Sequence, residues 1–190
     1  MPIENSKTQD AVQAGMIANK QATDTVGAGG VYSVECVGPD GQVKWTDTFH
    51  NLVMNAGVQD MNTQYFKGAT YTAALYLGLV TGPGSGTTFA AGDTLATHAG
   101  WTESAAYAGA RKAVTFGTAT TANPSVITNS ASPSSFVMNA TVTIAGAFLC
   151  TVSSGTSGVL FSAGDFTGGD KNVDSGDTLN VTYTFSLTAT

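Results

Sequence analysis

Charge is what this chain has least of. Asp, Glu, Lys and Arg make up 11% of its 190 residues, well under the roughly 25% of an ordinary globular protein. The few charges lean acidic, with 7 Lys and Arg against 13 Asp and Glu and a formal net charge of −6. A free-standing nucleic-acid binder needs a basic stripe to displace counterions from phosphates, so direct DNA binding is not expected. Long apolar runs are also missing, and none approaches the roughly 20 residues of a membrane-crossing helix. Histidine is limited to His50 and His98. No Ser or Cys stands in a strained nucleophile elbow, and an enzyme is not expected. The two cysteines, Cys36 and Cys150, have no Cys or His partner at metal-ligand spacing. Their apolar neighbours read as two buried thiols, with a disulfide across 113 intervening residues as the alternative. The start, Met1-Pro2-Ile3-Glu4-Asn5, has neither a basic stretch nor an apolar core. It does not read as a secretion signal, and synthesis in a cytoplasm without Sec export is expected.

Gly, Ala, Ser and Thr fill the space that charge leaves. The clearest pattern lies near the end, where Leu179, Val181, Tyr183, Phe185 and Leu187 alternate with Asn180, Thr182, Thr184 and Ser186. A period of two over nine residues means a strand with one dry face and one polar face. Val31 to Val37 and Gln42 to Thr46 form a second strand pair, joined by the turn Gly38-Pro39-Asp40-Gly41. Phe136 to Ala145 alternates in part, and Ala74 to Val80, Ala113 to Gly117, Phe148 to Val152 and Gly158 to Ser162 have strand length. One helix is expected inside the domain, capped by Asn51 or Asn55, with Met54, Val58, Met61 and Tyr65 on its core face and Gly68 at its end. Seven to nine strands with one helix predict an all-β fold, a β-sandwich with a jelly roll as the expected topology. The sandwich domain is placed at 30–190. Residues 1–29 read as an extended N-terminal arm with a weak helical stripe of Val12, Met16 and Ile17, closed by the flexible stop Gly27-Ala28-Gly29-Gly30. The arm is either a partner-binding segment or a plain terminus.

Three stretches invite chemistry and fail its tests. Gly82 to Thr88 has the glycines of a phosphate loop but no Lys before its Thr pair. Asp170, Asn172, Asp174 and Asp177 echo a calcium loop, but Ser175 stands where Gly is needed and Val181 where Glu is needed. Asp and Gly there read as turn residues. Arg111 and Lys112, with Glu103 nearby, read as an ion pair or an interface contact. No catalytic, cofactor-binding or metal-binding residue is assigned, and no cofactor is expected.

A series of short blocks carries a resemblance. In order they are Trp45-Thr46-Asp47-Thr48-Phe49-His50-Asn51-Leu52-Val53, Gly57, Leu75-Tyr76-Leu77-Gly78-Leu79 and Gly92-Asp93-Thr94. Trp101-Thr102-Glu103 with Tyr107 and Arg111 follows, then Gly146-Ala147-Phe148-Leu149 and Gly176-Asp177-Thr178-Leu179-Asn180-Val181. Over about 31–187 the chain resembles small β-rich structural proteins of tailed bacteriophages, including capsid decoration or cement proteins. The resemblance implies a jelly-roll-like or sandwich domain, bound in many copies to the outer surface of the major capsid protein shell. Expected partners are that shell and further copies of the chain, as a dimer or trimer, with no nucleic acid and no membrane. Candidate interface residues are Ile3, Val12, Met16 and Ile17 in the arm, and Trp101, Tyr107 and Arg111 in the domain. The alternative is a tail- or fibre-associated adhesin for host glycan, which would need Trp101 and Tyr107 exposed as a platform. The acidic balance predicts no gel shift of duplex DNA by micromolar protein at physiological salt.

Overall fold

The structure is a computed structural model, and it describes residues 25–67, 74–81 and 87–189. Its longest strands come from the two ends of that span. Strand β1 (Val26–Val37) pairs antiparallel with β13 (Thr178–Ala189) along their whole length, from Val26 opposite Ala189 to Val37 opposite Thr178. Strand β2 (Val43–His50) returns from β1 through the Pro39-Asp40-Gly41 turn, where Gly41 has φ +78°. On the far side, β7 (Ser125–Thr128) and β8 (Ser134–Val137) each pair with part of β13. These five strands make the first sheet.

The second sheet runs β3 (Leu52–Val53), β11 (Leu160–Asp165), β10 (Gly146–Cys150), β4 (Tyr76–Thr81), β5 (Thr102–Glu103), with β6 (Lys112–Ala113) also on β4. Strands β9 (Val142–Ile144) and β12 (Lys171–Val173) form a separate pair. The core between the sheets holds Tyr32, Val34 and Cys36 of β1, Leu179, Val181 and Tyr183 of β13, and Leu77, Leu79 and Leu149 of the second sheet. The fold is an all-β sandwich with one short helix. The strand order does not confirm a jelly roll, because β1–β2 and β10–β11 are hairpins that stay within one sheet.

The second sheet is covered on its other face too. Val80, Phe148, Cys150, Leu160 and Ala163 pack there against Met54, Leu95 and Trp101. The cover comes from the start of helix α1 (Asn55–Phe66) and from the irregular segment around 87–101. Both thiols are buried and free, so no disulfide links Cys36 to Cys150.

Three expectations need correction. The chain does not enter the sandwich at residue 30: Gly27 to Gly30 belong to β1 and pair with Phe185 to Thr188. Of these glycines Gly30 makes room, because a Cβ on it would lie 2.5 Å from the Tyr183 hydroxyl, whereas Gly29 has open space around it. The helix exists, but only half of its expected core face holds: Met54 is buried and Met61 packs against the core, while Val58 and Tyr65 do not. Val58 is 43% and Tyr65 83% exposed, because α1 approaches the sheet through Gly57, where a Cβ would strike the Phe161 backbone. At 3.6 residues per turn, pointing Gly57 inward turns Val58 and Tyr65 outward. Met54 is the N-cap residue and no side chain caps the helix; Gly68 lies outside the described residues. The Phe136–Ala145 stretch is broken into β8 and β9, and Ala140 between them is exposed.

Four polar side chains bind the layers together. The Tyr32 hydroxyl meets Ser162 Oγ of β11 at 2.8 Å, and Ser162 Oγ donates to the Tyr183 hydroxyl at 3.3 Å. Asn51 Nδ2 donates to the same Tyr183 oxygen at 2.9 Å. Burial pushes the Tyr32 and Tyr183 phenols well above their ordinary pKa, so both stay neutral. A Tyr183→Phe variant strips a partner from Ser162 and from Asn51; it should lose about 1–2 kcal/mol of stability, read as a lower urea midpoint with an unchanged slope.

Candidate functional site

The described surface has no deep cleft with converging chemistry, so each expected site residue is taken in its place. Arg111 is 6% exposed. Its Nε and Nη2 donate to the two Glu103 carboxylate oxygens at 2.8 and 2.6 Å, and Nη1 donates to the Val152 carbonyl at 3.1 Å. The guanidinium also lies 5.2 Å from the centre of the Phe148 ring. Burial alone would lower its pKa, but the Glu103 hydrogen bonds outweigh that and raise it. Each of the three guanidinium nitrogens donates inside the chain. Tyr107 is 5% exposed and sits edge-on to Phe136. Burial, helped by Glu103, pushes its phenol up to about 12. Lys112 covers the ring from outside and donates to the Ala108 carbonyl at 2.6 Å.

Trp101 is 4% exposed. Its Nε1 donates to Asp93 Oδ2 at 3.1 Å, and the same carboxylate oxygen accepts the Ala90 N–H at 3.1 Å. His98 stacks on the indole at 3.8 Å with its Nδ1 2.9 Å from the Trp101 carbonyl. The Gly92-Asp93-Thr94 block is therefore the turn that seats Trp101 on the second sheet. Trp101, Tyr107 and Arg111 are internal residues, and their expected role as an exposed interface is corrected: each fills a layer of the chain's own core. Ile3, Val12, Met16 and Ile17 lie outside the described residues.

The calcium-like loop has a different use. Asp177 is fully buried. Its Oδ2 accepts from Lys44 Nζ at 2.8 Å and from the Asp174 N–H at 2.9 Å, and the Cys36 thiol lies 3.7 Å away. Lys44 also reaches Asp174 at 2.9 Å. A lysine occupies the place where a cation would sit, and among the described residues no cluster of three or more His, Cys, Asp or Glu could hold a metal. Burial pushes the Asp177 carboxyl up, but the Lys44 ammonium and the Asp174 amide outweigh it and hold it below the usual carboxylate range. Burial, with the negative Asp177 beside it, lifts the Cys36 thiol to about 11.

The outer face of the first sheet is lined with uncharged polar side chains. Ser33, Thr48 and Thr182 share one cross-strand row, and Glu35, Thr46 and Asn180 the next. Short bonds join cross-strand neighbours within such rows: Ser33 Oγ to Thr48 Oγ1 at 3.1 Å, Ser135 Oγ to Asn180 Oδ1 at 2.6 Å, and Thr184 Oγ1 to Thr128 Oγ1 at 2.9 Å. Glu35 is the one charge in these rows. A shallow hollow of about 320 Å³ lies over this face, lined by Ser33, Glu35, Thr46, Thr48, Asn180 and Thr182 among others. Sequence alternation had marked Asn180, Thr182, Thr184 and Ser186 as polar. The partners from β1 and β2 had no such signal, since Thr46 and Thr48 are set by register. No family model, curated protein or solved structure matches the chain.

Asp177 is charged in the fold at a lower pH than when unfolded. Its contribution to stability is therefore present above the ordinary carboxylate pKa of about 4 and is lost as pH falls through the lower folded value. Lys44→Met should lower the urea midpoint at pH 7 and shrink that loss on acidification, since it removes the ammonium that holds the carboxyl down. A variant with wild-type acid dependence would place the pairing elsewhere.

Proposed function

We propose that this chain is a structural protein of a tailed-bacteriophage virion, a decoration or cement protein that binds the outer surface of the capsid shell and stabilises it. The observation that carries the reading is the outer face of the first sheet, broad, nearly neutral and covered with hydroxyls and amides. A face of that kind binds another protein by area and hydrogen bonding rather than by steering charge. The order of the short sequence blocks supports the same reading. The adhesin alternative loses its main support, because Trp101 and Tyr107 are 4% and 5% exposed and offer no platform.

A packaged shell is pushed apart by its DNA, and a protein seated across capsomer seams adds contacts that exist only in the closed particle. Binding of many copies is linked to shell stability by mass action. Particles carrying the protein should therefore release DNA, followed with a dye, at a higher temperature than particles without it. A Thr46→Lys/Thr48→Lys variant, which sets no like charge opposite Glu35, should show reduced occupancy while its own unfolding midpoint stays close to wild type. Equal release temperatures, with a few copies confined to the tail, would replace this reading with the tail-associated one.

A further inference from the structure

The first sheet protects its edges unevenly. The outer edge of β2 is partly closed by the segment after β11: Thr167 donates to the Thr48 carbonyl at 3.1 Å and the Gly168 N–H to Asp47 at 3.1 Å. The outer edge of β7 is closed by Gly117 and Thr120, whose N–H groups donate to Thr128 and Val126 carbonyls, both at 2.9 Å. Among the described residues, the beginning of β1 has no such cover. Its pairing with β2 starts only at Val31 opposite His50, so among the described residues no strand lies beside Val26 to Gly29 on the side away from β13. Asn51 stands at the limit of the gap, accepting the Gly30 N–H at 2.7 Å and donating its own N–H to the Gly30 carbonyl at 3.0 Å. Backbone groups alternate along a strand, so Ala28 and Val26 point theirs the same way as Gly30, into the open side. Natural edges are usually blunted by Lys, Pro, charge or a bulge. Val26-Gly27-Ala28-Gly29-Gly30 has none of these.

The same stretch overhangs the sandwich. Val26, Ala28, Leu187 and Ala189 lie on the inner side of the first sheet, in line with Tyr32 and Tyr183, yet all four are exposed. Val26 is 72% and Leu187 39% exposed. The Leu179–Leu187 face thus runs from fully buried to open along a single strand.

We propose that this overhang is a self-association edge, at which β1 of one copy pairs antiparallel with β1 of a second copy about a two-fold axis near Gly27. In that register Val26 faces Ala28 of the second copy, and the two exchange N–H to carbonyl bonds in both directions. The Asn51–Gly30 pair ends the match on each side. The axis is perpendicular to the sheet, so both overhangs keep their apolar sides on one surface, and Val26 and Leu187 of the two copies form one strip. The contact is isologous and closes after two copies. A partner of a different sequence is not required, because the edge is complementary to itself and carries no charge to repel its twin. This goes beyond the decoration reading and does not rest on it.

The test uses the full chain at high and low concentration, with sedimentation and amide hydrogen exchange. The expected result is a dimer whose Val26 and Ala28 amides lose about tenfold in protection on dilution to monomer. Val26→Lys should give a monomer at both concentrations, with the unfolding midpoint of the dilute wild-type monomer. A wild-type monomer with fast exchange at Ala28 overturns the proposal. So does slow exchange in a monomer at every concentration, which would mean that residues of the same chain cover the edge. A Val26→Lys dimer overturns it as well, since the contact would then lie elsewhere.

Discussion

The pairing of β1 with β13 is the constraint on which the rest of the molecule depends. It joins the two ends of the described chain over a dozen residues each, and every other strand of the first sheet attaches to one of the two. Its inner row supplies most of the first sheet's share of the core. Apolar rows alone would accept any greasy layer at any offset. The hydroxyls of Tyr32 and Tyr183 do not: once buried they need partners, and Ser162 of β11 and Asn51 supply them at fixed positions. The registration of the two sheets follows from that requirement. Because the pairing is so remote in sequence, its contacts form only after a large loss of chain entropy, which places this fold among the slower-folding topologies.

The second consequence is that the interior has more than one layer. The second sheet is apolar on both faces, as its near-continuous burial in β4, β10 and β11 records. Covering its far face takes Met54, Leu95 and Trp101 from segments that look like loops. Residues that would stand at a surface in a two-layer sandwich are internal here. With few charges in the chain, those near the core are held in pairs: Arg111 by Glu103, and Lys44 by Asp174 and Asp177. Among the described residues, the outer face of the first sheet offers partners area and hydrogen bonding, one edge offers backbone, and the end of α1 offers the exposed Tyr65 and Phe66. Surfaces of that kind suit assembly in many copies more readily than recognition of a small molecule.

Much of the fold was legible in the amino-acid sequence because period-two patterning is a local property. Leu179 to Leu187, the β1–β2 hairpin and the buried thiols could be read from neighbours a few residues apart, and so could the all-β class. The turn between Asp174 and Asp177 was readable as well, from its Asp and Gly, but the strand Lys171–Val173 just before it was not. Tertiary structure decided what depends on remote contacts. The helical face of Val58 and Tyr65 obeyed its spacing, yet Gly57 turned it outward, because close approach to a sheet favours the residue with no side chain. Gly27 to Gly30 looked like a flexible stop, yet the free edge of β13 made them a strand. Trp101, Tyr107 and Arg111 looked like contact residues, since aromatic and cationic side chains favour interfaces. Only the position of the second sheet and its covering segment decided that they lie inside, where desolvation is offset by Asp93, by ring stacking and by Glu103.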